Sequence, residues 1–254
     1  MIFALLGALA IGLSLGLLGS GGSILTVPIL VYLVGQPEKL AIAGSLAIVG
    51  GIALAAALPW TWRRQVDLRS LLWFGLPGMA GAWAGAYLSQ WFSGAAQLSL
   101  FAVVMLLAAA MMLRSPAAPA ATARAPRRRI ASAGDGLVVG VVTGLVGVGG
   151  GFLIVPPLVL LARLPMQRAI GTSLWIIALK SFTGFAGYLP VLKAQGLSLD
   201  WNLIGLFIVI GAVGSFAGML LAGRLPQQTL RRVFAIFLLL MGVYIIVRSA
   251  PQLI

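Results

Sequence analysis

The sequence predicts an all-α polytopic membrane protein made of two inverted repeats, and three observations predict it. Stretches 1–37, 71–113, 136–162 and 201–223 carry no charged residue, within a chain that is 61% hydrophobic and 8% charged. A soluble domain carries about a quarter charged residues, and long uncharged apolar runs are the mark of membrane helices. The two halves of the chain repeat one another. The basic residues fall overwhelmingly into one alternate set of loops.

The apolar runs are continuous rather than alternating, which argues against a β-barrel. The first eighteen residues lack a basic leader and a small-x-small cleavage site, so they are read as structure. With no Cys and no His there is no disulfide framework, thiolate chemistry or imidazole metal site, and no cofactor or metal is expected.

The repeat is direct. "GLSLGLLGSGGSILTVPILVYLVGQPEKLAIAGSL" from Gly12 aligns without a gap on "GVVTGLVGVGGGFLIVPPLVLLARLPMQRAIGTSL" from Gly140, with about half the positions identical. Gly19 falls on Gly147, Gly21 and Gly22 on Gly149 and Gly150, Pro37 on Pro165, and Ser45 on Ser173. After an insertion the match resumes, Asp67 on Asp200 and "GAWAG" (81–85) on "GSFAG" (214–218). Between the halves, "RSPAAPAATARAPRRRIASA" (114–133) is rich in Ala, Pro and Arg and reads as a linker. The first repeat is therefore 1–113 and the second 134–254.

In each half an apolar helix (2–18; 135–147) reaches a glycine cluster, and a short helix follows (23–34; 151–162). Such a short helix rises about 17 Å, roughly half of a 30 Å hydrocarbon core. It is either a broken, re-entrant hairpin or part of a kinked crossing helix. Three full spans follow in each half, at 40–59, 71–90 and 97–113, then at 168–189, 202–222 and 231–249. With re-entrant hairpins each half crosses three times and the halves are inverted. Arg63, Arg64, Arg69, the linker arginines, Arg163, Arg168, Arg224, Arg231 and Arg232 then share one side, leaving Lys39, Lys193 and Arg248 on the other. That is a positive-inside pattern. It places the linker in the cytoplasm and both termini outside, in a bacterial inner (plasma) membrane. The net charge of +13 is a topology signal, and no nucleic-acid partner is expected. Trp60, Trp62, Trp91 and Trp201 end spans as interfacial anchors. Trp83 lies deeper and either walls a cavity or packs in the core.

"GLVGVGGGFLIVPP" (144–157) looks at first like a phosphate loop. Phe152 stands where a dinucleotide fingerprint needs glycine, and the Gly-Lys-Ser/Thr of a Walker loop is missing. A re-entrant turn gives these glycines another task. It leaves the first N–H groups of the short helix unpaired and its positive dipole end exposed, and glycine admits positive φ and close approach of a ligand. Two such starts, at Gly19, Ser20, Gly21, Gly22 and Ser23 and at Gly147, Gly149, Gly150 and Gly151, are expected to face each other as a site for a small anion, with close helix packing as the alternative role of the glycines. Lys180 sits about 18 Å into its span, where an isolated charge faces a cavity or a partner. It is the expected counter-charge, with snorkelling or a bond to carbonyls freed at a glycine turn as its alternative role, and its counterpart in the first half is Ile52. Ser45, Thr172 and Ser173 are candidate hydroxyl donors, with helix capping as their alternative role. Trp175 is a candidate cavity wall, with core packing as its alternative. Gly81, Gly85, Gly214 and Gly218 are read as helix-packing positions. The four acidic residues fall at or near loops, so no carboxylate pair or nucleophile arrangement supports an enzyme.

The doubled Gly-x-Gly-Gly motif, the apolar run into "VP" and the later "AIGTSL" resemble the sulfite exporter TauE/SafE family of membrane transporters. The second copy is the closer match. The first has Ser20 and Ser23 in "GSGGS" and "AIAGSL" in place of "AIGTSL". The resemblance implies transport, outward in direction, of small sulfur-containing anions such as sulfite or organosulfonates. An anion channel using the same site and a non-transporting membrane scaffold are the alternatives.

Overall fold

The computed structural model describes residues 2–19, 22–114, 129–160, 164–222 and 227–249, and among them there is no β-strand. The first half contains α1 (Ile2–Leu18), α2 (Gly22–Pro28), α3 (Glu38–Trp62), α4 (Leu68–Ser70), α5 (Leu76–Leu88) and α6 (Gly94–Arg114). The second contains α7 (Arg129–Val146), α8 (Gly151–Leu160), α9 (Met166–Ala194), α10 (Trp201–Ala222) and α11 (Gln227–Ser249).

Two π-helical stretches interrupt the first half. Ile29–Leu33 follows Pro28, and Leu71–Gly75 precedes Pro77 near the start of α5. Proline cannot donate its amide, so the hydrogen-bond ladder slips at these points. Four described helices are long and apolar enough to cross a membrane: Glu38–Trp62, Gly94–Met111, Gln167–Ala194 and Trp201–Leu221. Six full spans were expected. Of the other two, 71–90 is interrupted by the π stretch inside 68–88, and within α11 (Gln227–Ser249) the described apolar run is Ala235–Arg248. α7 starts at Arg129, once the prolines end, within the stretch 114–133 expected as a linker; 115–128 lie outside the described residues.

The duplication is visible in local detail. Pro37 and Pro165 precede α3 and α9 with matching dihedrals, φ −54°, ψ 145° and φ −53°, ψ 144°. Asp67 accepts the Ser70 amide at 2.8 Å, and Asp200 accepts the Leu203 amide at 3.0 Å, so the aligned aspartates cap equivalent helix starts.

Packing runs between the halves. α1 packs on α10 and its counterpart α7 on α5, while α3 packs on α9 and α6 on α11. Small residues make the first two seams. A Cβ built on Gly16 would run into Ser215 O, and one on Gly144 into Ala82 O, the aligned position. Backbones this close admit no side chain, as at small-residue seams between membrane helices. The long central helices are antiparallel: the Gly50, Gly184 and Gly171 backbones meet Phe182, Leu46 and Trp60 in turn. Ile48, Val49, Ile52, Ile176 and Ile177 are buried along this crossing. α2 turns back along α1. A Cβ on Gly22 would sit 2.9 Å from Leu15 Cβ, and one on Gly7 2.9 Å from Ile29 Cγ2.

Candidate functional site

The second glycine turn is built from two left-handed residues. Gly147 has φ +74° and Gly150 φ +70°, conformations that side chains rarely adopt. Val148 donates to Thr143 O at 3.0 Å, closing the end of α7, and Leu153 donates to Gly150 O at 2.9 Å, opening α8. The first amides of α8 have no acceptor within their own helix, and its positive dipole end lies at this turn.

Both turns are tied by a serine of the other half. Ser45 on α3 donates to Gly147 O, with Ile42 O as its second acceptor at 2.7 Å. Ser173 on α9 donates to Gly19 O at 3.1 Å, with Ile170 O at 2.8 Å. Gly19 has φ +66°, matching Gly147. A Cβ on either glycine would strike the isoleucine three residues before the serine that holds it, Ile170 for Gly19 and Ile42 for Gly147.

Two polar side chains converge on the second turn without partners. Lys180 is 1% exposed and its Nζ has no hydrogen bond among the described residues. Its stem passes the bare backbone of Gly78 on α5, where a Cβ would stand 3.1 Å from Lys180 Cδ. Its Nζ lies 3.2 Å from where a Cβ on Gly150 would be. Ser181 is fully buried, its Oγ is also unpartnered, and it lies 3.0 Å from the Cβ position of Gly149. Val49 Cγ1 and Ile177 Cγ2 lie 2.6 and 2.9 Å from the same Cβ position. A buried lysine Nζ and a buried hydroxyl thus lie beside adjacent glycines of the turn that opens α8. Leaving such groups unpaired is costly.

The first half does not repeat this chemistry. Ile52 occupies the seat equivalent to Lys180, with its Cδ1 against Gly211 as the Lys180 stem lies against Gly78, and Ala53 stands for Ser181. Gly22 begins α2 seated against α1, Ser23 is buried in that first turn, and Gly151 is buried as the first residue of α8. Ser20 and Gly21 lie outside the described residues.

The remaining candidates are placed elsewhere. The Thr172 hydroxyl accepts the Asp67 amide at 2.8 Å and so fastens the loop after α3. Trp175 Nε1 donates to Thr61 Oγ1 at 2.7 Å, tying α9 to the end of α3. Trp83 does not fill the core: it is 50% exposed and stacks on Tyr87, because its helix gives its small-residue face to α7. Trp62, Trp91 and Trp201 are exposed near helix ends.

Sequence reasoning missed Ser181 and Gly78. The signal for Ser181 was its adjacency to the one lysine inside a span. Gly78 offered none, since its role is the room it leaves for a side chain from another helix. A second polar cluster was also missed. Gln97 Nε2 donates to Tyr188 Oη at 2.7 Å, and both side chains donate to Leu145 O at the end of α7.

The sequence profile of the sulfite exporter TauE/SafE family matches residues 4–245. The chain belongs to that family. It is similar to a "Probable membrane transporter protein" of Xylella fastidiosa (strain 9a5c), with 36% identity over 251 residues that cover 96% of this chain and 94% of the relative. It is also similar to the "Probable membrane transporter protein YunE" of Bacillus subtilis (strain 168), 30% identical over 271 residues and 97% of each chain. No solved structure matches the chain. This TauE/SafE family member is therefore an integral membrane transporter.

Proposed function

We propose that this transporter exports small sulfur-containing anions, sulfite or organosulfonates, bound at the start of α8. The observation that carries the reading is Lys180 Nζ, buried, without a partner, and set against the Gly149–Gly151 turn. The ammonium supplies charge, and the α8 amides supply donors for the oxygens of a sulfonate or sulfite. The first-repeat turn around Gly19 is the opposing wall of the same site. The antiparallel packing of the equivalent helices α3 and α9 supports inverted repeats, since both are long enough to cross. The return of α2 along α1 supports a re-entrant hairpin. With the linker cytoplasmic, an inside-negative potential favours exit of an anion by about 2.3 kcal/mol per charge per 100 mV.

The test is efflux of labelled sulfite and methanesulfonate from proteoliposomes holding the full chain, wild type against Lys180→Met. Efflux that is saturable and lost in the variant is expected. Equal efflux by a stably folded variant would overturn the site, and unitary conductance in planar bilayers would show a channel instead of a carrier.

A further inference from the structure

Among the described residues the buried cations are Lys39 and Lys180, and no carboxylate is buried. Lys39 Nζ donates to Ser89 O, so it is already engaged. The α8 turn therefore meets one free cation. Beside it stands the one serine hydroxyl aimed at Gly149, Ser181 Oγ, which nothing else in the described structure satisfies. The flanking groups, Val49 and Ile177, are apolar.

We propose that Lys180 Nζ, Ser181 Oγ and the α8 amides form a pocket for a singly charged sulfur oxyanion, admitting a sulfonate or hydrogen sulfite and rejecting sulfate. This rests on the α8 site proposed above and adds a charge rule to it. The reasoning is electrostatic. The cost of taking an ion out of water grows as the square of its charge, whereas its attraction to a fixed cation grows only in proportion. A dianion thus pays four times the desolvation of a monoanion for twice the attraction. One ammonium with an apolar surround matches a monoanion and leaves a dianion with an uncompensated buried charge. Ser181 serves the same choice. It donates one hydrogen bond to an oxygen without adding charge, so it raises affinity for any oxyanion of the right size and leaves the preference to Lys180.

Methanesulfonate and sulfate make the test, because both place oxygens tetrahedrally around sulfur and differ by one charge. Each is titrated calorimetrically into the purified full-length protein. Methanesulfonate is expected to bind at least tenfold tighter than sulfate, a difference of about 1.4 kcal/mol. Ser181→Ala is expected to lose about tenfold for methanesulfonate with an unchanged melting temperature, since it removes an unpartnered hydroxyl and no packing. Equal or tighter sulfate binding in the wild type would overturn the charge rule while leaving the α8 site standing. If neither anion binds the wild type, the α8 site itself falls, and the rule with it. Full affinity in Ser181→Ala would remove Ser181 from the pocket.

Discussion

Lys180 is the sharpest test at this scale, because its Nζ is buried with no hydrogen bond among the described residues. Lys180→Met retains the stem that lies against Gly78 and removes the charge. Monoanion binding should weaken by at least tenfold, about 1.4 kcal/mol, in a titration run beside a melting curve. A lysine serving only the fold would show the opposite pattern, lower stability with unchanged affinity. Gly149→Val drives a branched side chain into Val49, Ile177 and Ser181. Transport should disappear, with a stability loss of about 1–3 kcal/mol from overpacking that thermal unfolding would record. Lys180 was legible in the sequence because a charge within an apolar run stands out. Ser181 was not, because a serine in a membrane helix commonly bonds back to its own backbone, and only the fold shows that this one does not. Alignment also equates Gly22 with Gly150, yet one packs on α1 and the other takes positive φ. Identical letters do not report a backbone conformation.

At the scale of elements, the glycine turns are held from outside. Ser45→Ala frees the Gly147 carbonyl and Ser173→Ala frees that of Gly19. Each change should cost about 0.6 kcal/mol, the usual worth of a hydrogen bond between membrane helices. The two costs should add, since the serines share no partner. A double-mutant cycle on denaturation midpoints measures this, and strong coupling would mean that the turns communicate. The seams are less forgiving. Gly144→Leu places a branched chain against the Ala82 backbone, and the protein should fail to give a monodisperse peak on size-exclusion chromatography. The sequence showed both serines at equivalent positions and both glycine clusters as turns. It could not show that each serine reaches across to the other repeat, since equivalence within an alignment is silent about which copy is touched. Helix existence was legible from hydropathy. Interruptions were less so, because a π stretch beside a proline leaves the apolar pattern unchanged.

For the whole molecule, antiparallel α3 and α9 make a sharp topological prediction. Cysteines replacing Arg63, just after α3, and Ala194, at the end of α9, stand at equivalent helix ends. In inverted repeats they face opposite sides, Arg63→Cys labelling from the cytoplasm and Ala194→Cys from outside. The chain has no native Cys to confuse the result. Labelling of both from one side would end the inverted arrangement. The duplication was legible as matched words along the chain, but the pairing of halves was not, and that pairing sets the order of assembly. Since α1 waits for α10, α3 for α9, α5 for α7 and α6 for α11, the first half leaves the ribosome with its main partners still untranslated. Until the second half arrives its helices lack their main partners in the bilayer, a window in which quality-control proteases have access. Residues 1–120 expressed alone should be degraded quickly, and co-expression with 121–254 as a separate chain should rescue them.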